Sequence, residues 1–334
     1  MSNSLEIRVC RYEVGRVSII ATGRKLRPKQ YRMNKEVDTS TKARCPFCPG
    51  NEYDTPPAIL VLTKEIKFTK DDENSRVKDW LVRIFPNKYP ALSREPKAER
   101  GEFTIYGYHE VIVESPLHDE NEYLKRLDHM YYMLLALRKR IKEIFDDPNI
   151  ENILVIKNSG ARAGASIRHP HLQLFANTFI PPNIINEIKG FEEYMSKFGE
   201  CPLCNISMNR SPRTILDTRY FRVEARYAPR QSYELIIIPK IHRESLLKAS
   251  DEELKDLAWV LGNVIRALKN LLGEIDYNYW IHMAPKNVGK VYHWHIELQP
   301  LIETWGGYEK GSSVYIVTVK PEDAASKLRE LLAT

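Results

Sequence analysis

The stretch SIRHPHLQLFA, residues 166–176, contains two histidines that are two positions apart, His169 and His171. Apolar residues alternate with them in the pattern of a β-strand that has one buried face. Because side chains at positions i and i+2 of a strand point to the same face, both imidazoles and the amide of Gln173 are expected to converge on one place. A single His-x-His pair often consists of ordinary core or surface histidines, so the interpretation depends on the rest of the chain.

The pattern around these histidines occurs twice. Each half contains a Cys-x-x-Cys pair, then a β-branched run that leads through a proline to a histidine, then a helical pattern, a strand and a His-x-His strand. The two runs are EVIVESPLH (110–118) and ELIIIPKIH (234–242), and the two histidine strands are HPHLQLFA (169–176) and HWHIELQP (293–300). The spacing from Glu110 to His118 equals that from Glu234 to His242, and each of these histidines precedes its His-x-His strand by the same distance. We infer an internal duplication.

The helical patterns complete the prediction of the fold. Apolar spacing predicts a helix over 121–146 and another over 251–272, the second with a capping box of Ser250 and Glu253 and a stop at Gly273. Strands joined in this order predict an α+β fold, built as a tandem duplication with largely antiparallel sheets flanked by helices. We expect an N-terminal domain over residues 1–190, which carries His171, and a C-terminal domain over 191–334.

Composition limits the classes of function. The chain has 334 residues, of which 43% are hydrophobic and 28% charged, as in folded globular proteins. The N-terminus, MSNSLEIRVCRYEVG, lacks the pattern of a secretory signal, and no apolar run has the length of a membrane span, so we expect a cytoplasmic protein without a membrane partner. The net charge of +6 suits an anionic ligand, but there is no long Lys/Arg block, so we expect no nucleic acid.

The cysteine pairs predict metal sites. In a cytosolic protein such pairs are typically metal ligands or redox groups, and two copies with matched histidines favour metal. The duplication selects four ligands in each half, which suit tetrahedral zinc and leave no position for a reactive water. We therefore expect two structural zinc ions per chain, with these ligand sets: Cys45, Cys48, His118 and His169; and Cys201, Cys204, His242 and His293.

Two alternatives remain open for these residues. The second site has a harder alternative ligand set that shares one histidine with the thiolate set: Glu187, His282, His293 and His295. Either Cys-Pro-x-Cys pair has the form of a thioredoxin-like redox pair.

If zinc holds His169, His171 is the oriented, unligated imidazole on the same face. An imidazole can attack phosphorus when a hydrogen bond holds one ring nitrogen as N–H and the other keeps its lone pair. The preceding segment KNSGARAGAS, residues 157–166, is rich in small residues that let backbone amides approach phosphate oxygens. Arg162 and Arg168 lie nearby in the sequence and can supply positive charge for a phosphate. Arg24 and Arg27, in the segment TGRKLRPKQ (22–30), can do the same.

These motifs together resemble the galactose-1-phosphate uridylyltransferase family, the transferase branch of the histidine-triad superfamily, in which a glutamine replaces the third histidine. The resemblance covers nearly the whole chain: CPFC, VRIFPNKYPAL, GYHEVIVESPLH, KNSG, GAS, HPHLQ, IIIPKIH, HWHIELQP and GGYEKGSSVYIVTVKPEDAA. It implies that each half is a histidine-triad-like domain.

The resemblance also implies roles for individual residues. His171 would be the nucleophile that takes a nucleoside monophosphate, Gln173 would hydrogen-bond the phosphate, and Ser166 would contact the phosphates. Nucleotide- and phosphate-binding positions of the family match Arg24, Arg27, Asn87, Asn158 and Gly164. The segment that meets the sugar, contributed by the partner subunit of a homodimer, matches Gly307, Tyr308, Glu309 and Tyr315.

The implied function is transfer of UMP from UDP-glucose to galactose 1-phosphate by double displacement through uridylyl-His171. Two alternatives remain at this point. One is an adenylyltransferase that resembles ADP-glucose phosphorylase, and the other is a zinc-stabilised protein that binds nucleotide sugars without turnover. Stacking pockets for the base are built from ordinary apolar residues, so the sequence leaves the base and the sugar open.

Overall fold

The computed structural model describes residues 5–26, 45–95 and 106–333. Their strands are β1 (Leu5–Val9), β2 (Val17–Ala21), β3 (Leu60–Thr63), β4 (Phe68–Thr69), β5 (Trp80–Pro86), β6 (Gly107–Val113), β7 (Asn152–Ser159), β8 (His171–Asn177), β9 (Thr214–Asp217), β10 (Phe221–Ala225), β11 (Leu235–Pro239), β12 (Tyr277–His282), β13 (His295–Pro300) and β14 (Val314–Val317). Their α-helices are α1 (Glu120–Lys125), α2 (Leu127–Phe145), α3 (Pro182–Phe198), α4 (Pro202–Met208), α5 (Asp251–Leu272), α6 (Gly307–Ser312) and α7 (Pro321–Leu332).

The larger sheet confirms the predicted duplication and the α+β class. It has eleven strands in the order β4-β3-β5-β6-β8-β7-β12-β13-β11-β10-β9. Outward from the central β7–β12 pair, the first half has β7, β8 and β6, and the second has β12, β13 and β11. In both halves the strand that follows the long helix comes first, then the His-x-His strand, then the β-branched strand. Each recorded strand pair of this sheet is antiparallel. The smaller sheet, β1-β2-β14, contains one parallel pair, β2 with β14.

The predicted helices are found with one difference. Helix α5 begins after Ser250, which forms the expected capping box with Glu253, and its C-cap is Gly273 at φ 80°. The single helix expected over 121–146 is two, because Arg126 leaves the helical region at φ −99° and ψ 78°. Its N–H donates to the carbonyl of Tyr123, which closes α1 before α2 begins. Among the described residues, none of the helices combines the length and the apolar character needed to cross a membrane.

The two faces of the larger sheet have different roles. Helices α2 and α5 pack on one face, where Leu172 and Leu174 of β8 and Ile296 and Leu298 of β13 lie in the main core. Alternation along these strands sends His171, Gln173 and their counterparts in β13 to the opposite face. The hydrophobic core thereby fixes which face carries the polar residues, because a slip of one residue would bury the histidines under the helices.

A one-residue difference of register separates the halves. Glu110 pairs with Leu174 in β8, whereas Leu235 pairs with Leu298, which holds the same place in β13. Equal spacing along the sequence therefore does not give Glu110 and Glu234 equal positions in the sheet. The structural counterpart of Glu110 is Leu235, and Glu234 corresponds to His109.

The N-terminal residues pack against the second half. Strand β2 pairs with β14, and the Arg16 guanidinium donates to the carbonyl of Ala228 (2.8 Å) and forms an ion pair with Glu234 (2.6 Å). The division into domains over 1–190 and 191–334 remains a proposal, and α3 spans its boundary.

Candidate active site and metal centres

His171 has the tautomer that the sequence predicts for a nucleophile. Its Nδ1 lies 2.8 Å from the carbonyl oxygen of His169, and because a carbonyl only accepts, Nδ1 must carry the hydrogen. Nε2 therefore keeps its lone pair. The residue is 6% exposed, and burial lowers the pKa of His171 to about 4, so the ring is neutral at neutral pH.

The residues that follow β6 hydrogen-bond the segment that precedes β8. The N–H of Glu114 donates to the carbonyl of Pro170 (3.2 Å), and the carbonyl of Ser115 accepts a hydrogen bond from Nε2 of His169 (2.7 Å). Phe47, from the first Cys-x-x-Cys turn, packs edge-on against His171 with ring centroids 5.2 Å apart. The two hydrogen bonds thus hold the segment that leads to His171, and Phe47 contacts the His171 ring itself.

The four predicted ligands of the first metal site lie close together. Sγ of Cys48 lies 3.3 Å from Nδ1 of His118 and 3.6 Å from Nδ1 of His169, and Sγ of Cys45 lies 3.8 Å from Nδ1 of His169. Nε2 of His169, the nitrogen away from the thiolates, is the one that donates to Ser115. Such an outer hydrogen bond typically fixes the tautomer of a histidine that ligates a metal.

The second thiolate group repeats this geometry. Sγ of Cys204 lies 3.3 Å from Nδ1 of His242 and 3.6 Å from Nδ1 of His293, and Sγ of Cys201 lies 3.6 Å from Nδ1 of His293. Nε2 of His242 donates to the carbonyl of Lys290 (2.9 Å). A hydrogen bond from Cys204, with others from the two histidines, lowers the pKa of the Cys201 thiol, so the cluster favours a thiolate.

Both groups have the dimensions of a tetrahedral zinc site. For Zn–S of 2.3 Å and Zn–N of 2.0–2.1 Å, an S···N edge of the tetrahedron is about 3.6 Å long. The sulfur–nitrogen distances in the two groups span 3.3 to 3.8 Å, around this value. In each group the four ligand atoms lie within 4.8 Å of one another. The two groups could therefore hold two metal ions.

The alternative ligand set of the second half is divided between two places. Glu187, His282 and His295 form a buried group of their own, with Nδ1 of His282 donating to Glu187 (2.9 Å). His293 instead completes the thiolate group with its Nδ1. The structure thus brings three of the four alternative ligands together, and the fourth, His293, lies in the thiolate group.

The loop between β7 and β8 is held by a residue that the sequence analysis missed. Gly160 and Gly164 have positive φ values of 90° and 89°, a region that favours glycine. Nδ2 of Asn278 in β12 donates to Oδ1 of Asn158 (2.8 Å) and to the carbonyl of Ala163 (2.9 Å). Asn278 belongs to no motif, and only the β7–β12 pairing reveals it.

The predicted phosphate-binding residues lie on several separate segments of the chain. Asn158 follows Lys157, which pairs with Leu172, so alternation turns its side chain to the face of His171. Ser166 and Arg168 are exposed on the segment that leads to His171, and Arg24 is exposed on the 3₁₀-helix Thr22–Leu26. Asn87 directly follows β5, and Gly164 lies in the glycine loop. Arg27 lies outside the described residues.

The predicted sugar segment lies beside the second half of the same chain. Gly307, Tyr308 and Glu309 begin α6, and Tyr315 is in β14, which pairs with β2. The Tyr308 side chain is 52% exposed. Trp305, two residues before α6, donates from its indole to the carbonyl of Arg230 (3.2 Å).

Comparisons with known proteins agree with this site. The sequence profile of the galactose-1-phosphate uridyl transferase N-terminal domain matches residues 8–181. The chain is 31% identical over 332 residues to ADP-glucose phosphorylase of Arabidopsis thaliana, covering 95% of this chain and 90% of that one. It is 29% identical over 311 residues to the galactose-1-phosphate uridylyltransferase of Thermotoga maritima, covering 87% and 90%. The crystal structure of an Arabidopsis thaliana ADP-glucose phosphorylase with bound ADP-glucose superposes with a TM-score of 0.82 at 28% identity, covering 98% of both chains.

The chain belongs to the galactose-1-phosphate uridylyltransferase family. It is accordingly an enzyme of that family, a nucleotidyltransferase. The resemblance of the motifs is thereby confirmed.

In this uridylyltransferase-family chain, a buried ionic cluster lies under the His-x-His strand. Lys157 of β7 points to the helix face, where it pairs with Glu114 and lies 3.7 Å from Glu120. Glu120 also accepts from Lys269 (2.9 Å) and from the hydroxyl of Tyr277 (3.0 Å), both in the second half. The cluster therefore connects the two halves. It also holds Glu114, whose backbone N–H donates to the carbonyl of Pro170.

The second half of the uridylyltransferase fold presents different chemistry at the matching place. His295 has the tautomer of His171, with Nδ1 donating to the carbonyl of His293 (3.1 Å). In place of Gln173, however, it has Glu297, which Arg226 (2.7 Å) and Arg16 (3.1 Å) neutralise. A carboxylate with its arginines already engaged disfavours a phosphate there.

Proposed function

We propose that this chain is a hexose-1-phosphate uridylyltransferase that moves UMP from UDP-glucose to galactose 1-phosphate. The observation that carries the proposal is the bare, neutral Nε2 of His171, held on a buried strand by its own Nδ1–H bond. That atom is a nucleophile suited to phosphorus rather than to a proton at neutral pH.

The reaction is a double displacement. Nε2 of His171 attacks the α-phosphorus of UDP-glucose, the N–P bond forms, and the bond to the glucose 1-phosphate oxygen breaks with its electron pair. A phosphate oxygen of galactose 1-phosphate then attacks the uridylyl group, and the N–P bond breaks to return the lone pair to Nε2. His171 starts and ends neutral, so no proton transfer to the leaving group is required.

The neighbouring residues act by position and by donated hydrogen bonds. The amide of Gln173 lies on the same strand face two residues from His171. Ser166, Arg168 and the glycine loop at 160–164 border the approach to the phosphates in this proposal. The other proposed binding positions are Arg24, Arg27, Asn87 and Asn158. Oriented donors around a phosphoryl group stabilise charge without reorganisation at the moment of transfer.

The test is a transfer assay with purified protein. UDP-glucose and galactose 1-phosphate should give UDP-galactose and glucose 1-phosphate, and exchange of labelled glucose 1-phosphate into UDP-glucose should occur without galactose 1-phosphate. His295→Gln is a matched control at the equivalent place in the second half and should keep the exchange, whereas His171→Asn should abolish it. No exchange by the wild type with any nucleotide sugar would refute the proposal.

A second candidate is an adenylyltransferase of the ADP-glucose phosphorylase kind. The similarity to the Arabidopsis thaliana enzyme over almost the whole chain favours it specifically. The discriminating experiment offers UDP-glucose and ADP-glucose in parallel, each with galactose 1-phosphate or inorganic phosphate as acceptor. Faster consumption of ADP-glucose with inorganic phosphate would replace the uridylyl proposal and leave the role of His171 intact.

We propose that both thiolate groups hold structural zinc. Four protein ligands fill each tetrahedron, so the ions would orient His169 and His293 and leave no position for substrate. Metal analysis should give two zinc ions per chain, and one ion in Cys201→Ser. Full metal content in that variant would remove Cys201 from the ligands and restore the alternative at Glu187, His282 and His295.

We propose that the chain forms a homodimer. One face of the β1-β2-β14 sheet is apolar and open, with Leu5, Ile7 and Val9 81%, 67% and 56% exposed. An exposed apolar patch of this kind suits a self-complementary interface, and a partner's Tyr308 and Glu309 could then reach the sugar. Sedimentation should show a dimer that Ile7→Asp dissociates and the control Met208→Asp, at another exposed apolar residue, does not. A monomeric wild type would refute this.

We propose a cytoplasmic location. The four metal-group cysteines must stay reduced to act as thiolates, which a reducing compartment ensures. Cell fractionation should find the enzyme with cytoplasmic markers, and recovery in an oxidising compartment would contradict the proposal.

A further inference from the structure

His109, in β6, has a tautomer that the backbone dictates. The N–H of Ala91 donates to its Nδ1 (2.9 Å), so Nδ1 holds a lone pair. Any hydrogen on the ring must therefore be on Nε2. Burial also lowers the pKa of His109 below its usual range, which keeps the ring neutral. The ring plane is fixed by stacking on Phe175, with centroids 4.1 Å apart at 22°.

The Nε2–H of His109 in turn dictates the orientation of Gln173. Nε2 lies 2.8 Å from the Gln173 side chain, and an N–H needs an acceptor, so the atom facing it must be Oε1. The amide group of a glutamine carries its oxygen and its NH2 on opposite prongs. With Oε1 engaged by His109, the NH2 of Gln173 points away from the His109 ring, on the strand face that also carries His171.

A second amide is oriented by the same turn of the chain. The N–H of Tyr89 donates to Oδ1 of Asn87 (2.8 Å), which sends Nδ2 toward His109, 3.1 Å from its Nε2. Since both of these nitrogens carry hydrogens, the contact is not a hydrogen bond, and His109 offers no acceptor to Asn87. The oxygens of both side-chain amides are thus engaged, Oδ1 of Asn87 by Tyr89 and Oε1 of Gln173 by His109, so each amide keeps an NH2 group as a hydrogen-bond donor.

The second half provides an internal contrast. The counterparts of His109 and Gln173 are Glu234 and Glu297, two carboxylates that share Arg16 at 2.6 and 3.1 Å. Two acceptors at these places offer no hydrogen to a phosphate oxygen. The donor arrangement is therefore specific to the half that carries His171.

We propose that His109 is a positioning residue that fixes the Gln173 amide with its NH2 toward the phosphoryl group on His171. This rests on the proposed function only in naming that group, because the relay from Ala91 through His109 to Gln173 exists in the protein without substrate. His109 touches Gln173 and not the reacting atoms. Its effect on catalysis should therefore pass entirely through Gln173.

The experiment is a double-mutant cycle on the rate at which His171 acquires a nucleotidyl group in a single turnover, with whichever nucleotide sugar the wild type uses. His109→Phe keeps a ring for Phe175 and removes the donor. Loss of one hydrogen bond should slow labelling about tenfold. His109→Gln, which returns an N–H to a similar place, should recover most of the rate. In a Gln173→Met background, His109→Phe should have no further effect.

The outcomes separate the two proposals. An unlabelled wild type would be a failure of the proposed function and not of the His109 role, which nitrogen-15 NMR of histidine-labelled protein tests without turnover. That spectrum should show His109 with hydrogen on Nε2. Hydrogen on Nδ1, wild-type labelling by His109→Phe, or an equal slowing in the presence and absence of the Gln173 amide would overturn the role.

Discussion

Replacing Lys157 by methionine should destabilise the fold by about 3–5 kcal/mol at pH 8. The Lys157 and Glu114 side chains are each 2% exposed and form an ion pair beneath β8. Methionine matches the length and apolar stem of lysine, so the change removes the charge and little volume. What remains is the Glu114 carboxylate, buried without its cation, and an uncompensated buried charge is the costly part of breaking such a pair.

The cost should depend on pH in a direction that follows from Glu114. Burial already raises the pKa of Glu114, with Lys157 opposing it, so the variant's carboxyl should have a folded pKa still further above the unfolded value of about 4.3. A group with a raised folded pKa contributes stability below its unfolded pKa and loses it as pH rises through the folded pKa. The deficit of the variant should therefore grow by up to about 1.4 kcal/mol per pH unit over that window and then level off.

Urea unfolding of zinc-loaded protein at pH 5 and pH 8 measures this deficit. The matched control is Lys64→Met, because Lys64 and its partner Asp79 are 63% and 82% exposed, and an exposed pair contributes at most about 1 kcal/mol. The double variant Lys157→Met with Glu114→Leu should regain most of the loss, since neither charge remains. A deficit below about 1 kcal/mol at pH 8, or one that is the same at both pH values, would refute the reasoning.

Three further outcomes are expected. Cys48→Ser should lose one zinc ion and melt at a lower temperature while Cys201→Ser loses the other, and equal zinc in both variants and the wild type would exclude the thiolate sites. Burial would raise the pKa of Glu120, but Lys157 and Lys269 lower it below its usual range, so the contribution of Glu120 to stability is complete above about pH 4.3 and is lost as pH falls through the folded pKa. The stability of Glu120→Gln, plotted against pH, should therefore meet that of the wild type in acid and fall below it at neutral pH, and parallel plots would contradict this. Gly160→Ala should slow nucleotidyl transfer and destabilise the fold more than Gly199→Ala. Both positions have positive φ, but only at Gly160 would a Cβ lie 2.3 Å from Asp276. Equal effects of the two substitutions would show that the glycine loop tolerates the side chain.

The sequence predicts the features that depend on fixed spacing along the chain. The two thiolate groups follow from a duplication that preserves the intervals between ligands, and α5 follows from Ser250, Glu253 and Gly273, whose effects are local. The same holds for His171, because alternation along one strand relates it to His169 and Gln173. In each case a short-range rule constrains the side chain directly.

Other features depend on which strands meet, and the sequence does not contain that information in any single stretch. His109 reaches Gln173 only because β6 pairs with β8, and Asn278 reaches the glycine loop only because β12 pairs with β7. The match of Glu110 with Glu234 fails for the same reason, since a register shift of one residue is invisible in spacing. Arg16 likewise packs on the second half through a pairing of β2 with β14.

Mass spectrometry of the intact chain after incubation with UDP-glucose and no acceptor tests the role of the His171 imidazole most directly. One nucleotidyl group per chain is predicted, attached to Nε2 of His171, released by acid and missing in His171→Asn. An unmodified mass when exchange activity is present, or a nucleotidyl group found on His295 instead, would contradict it.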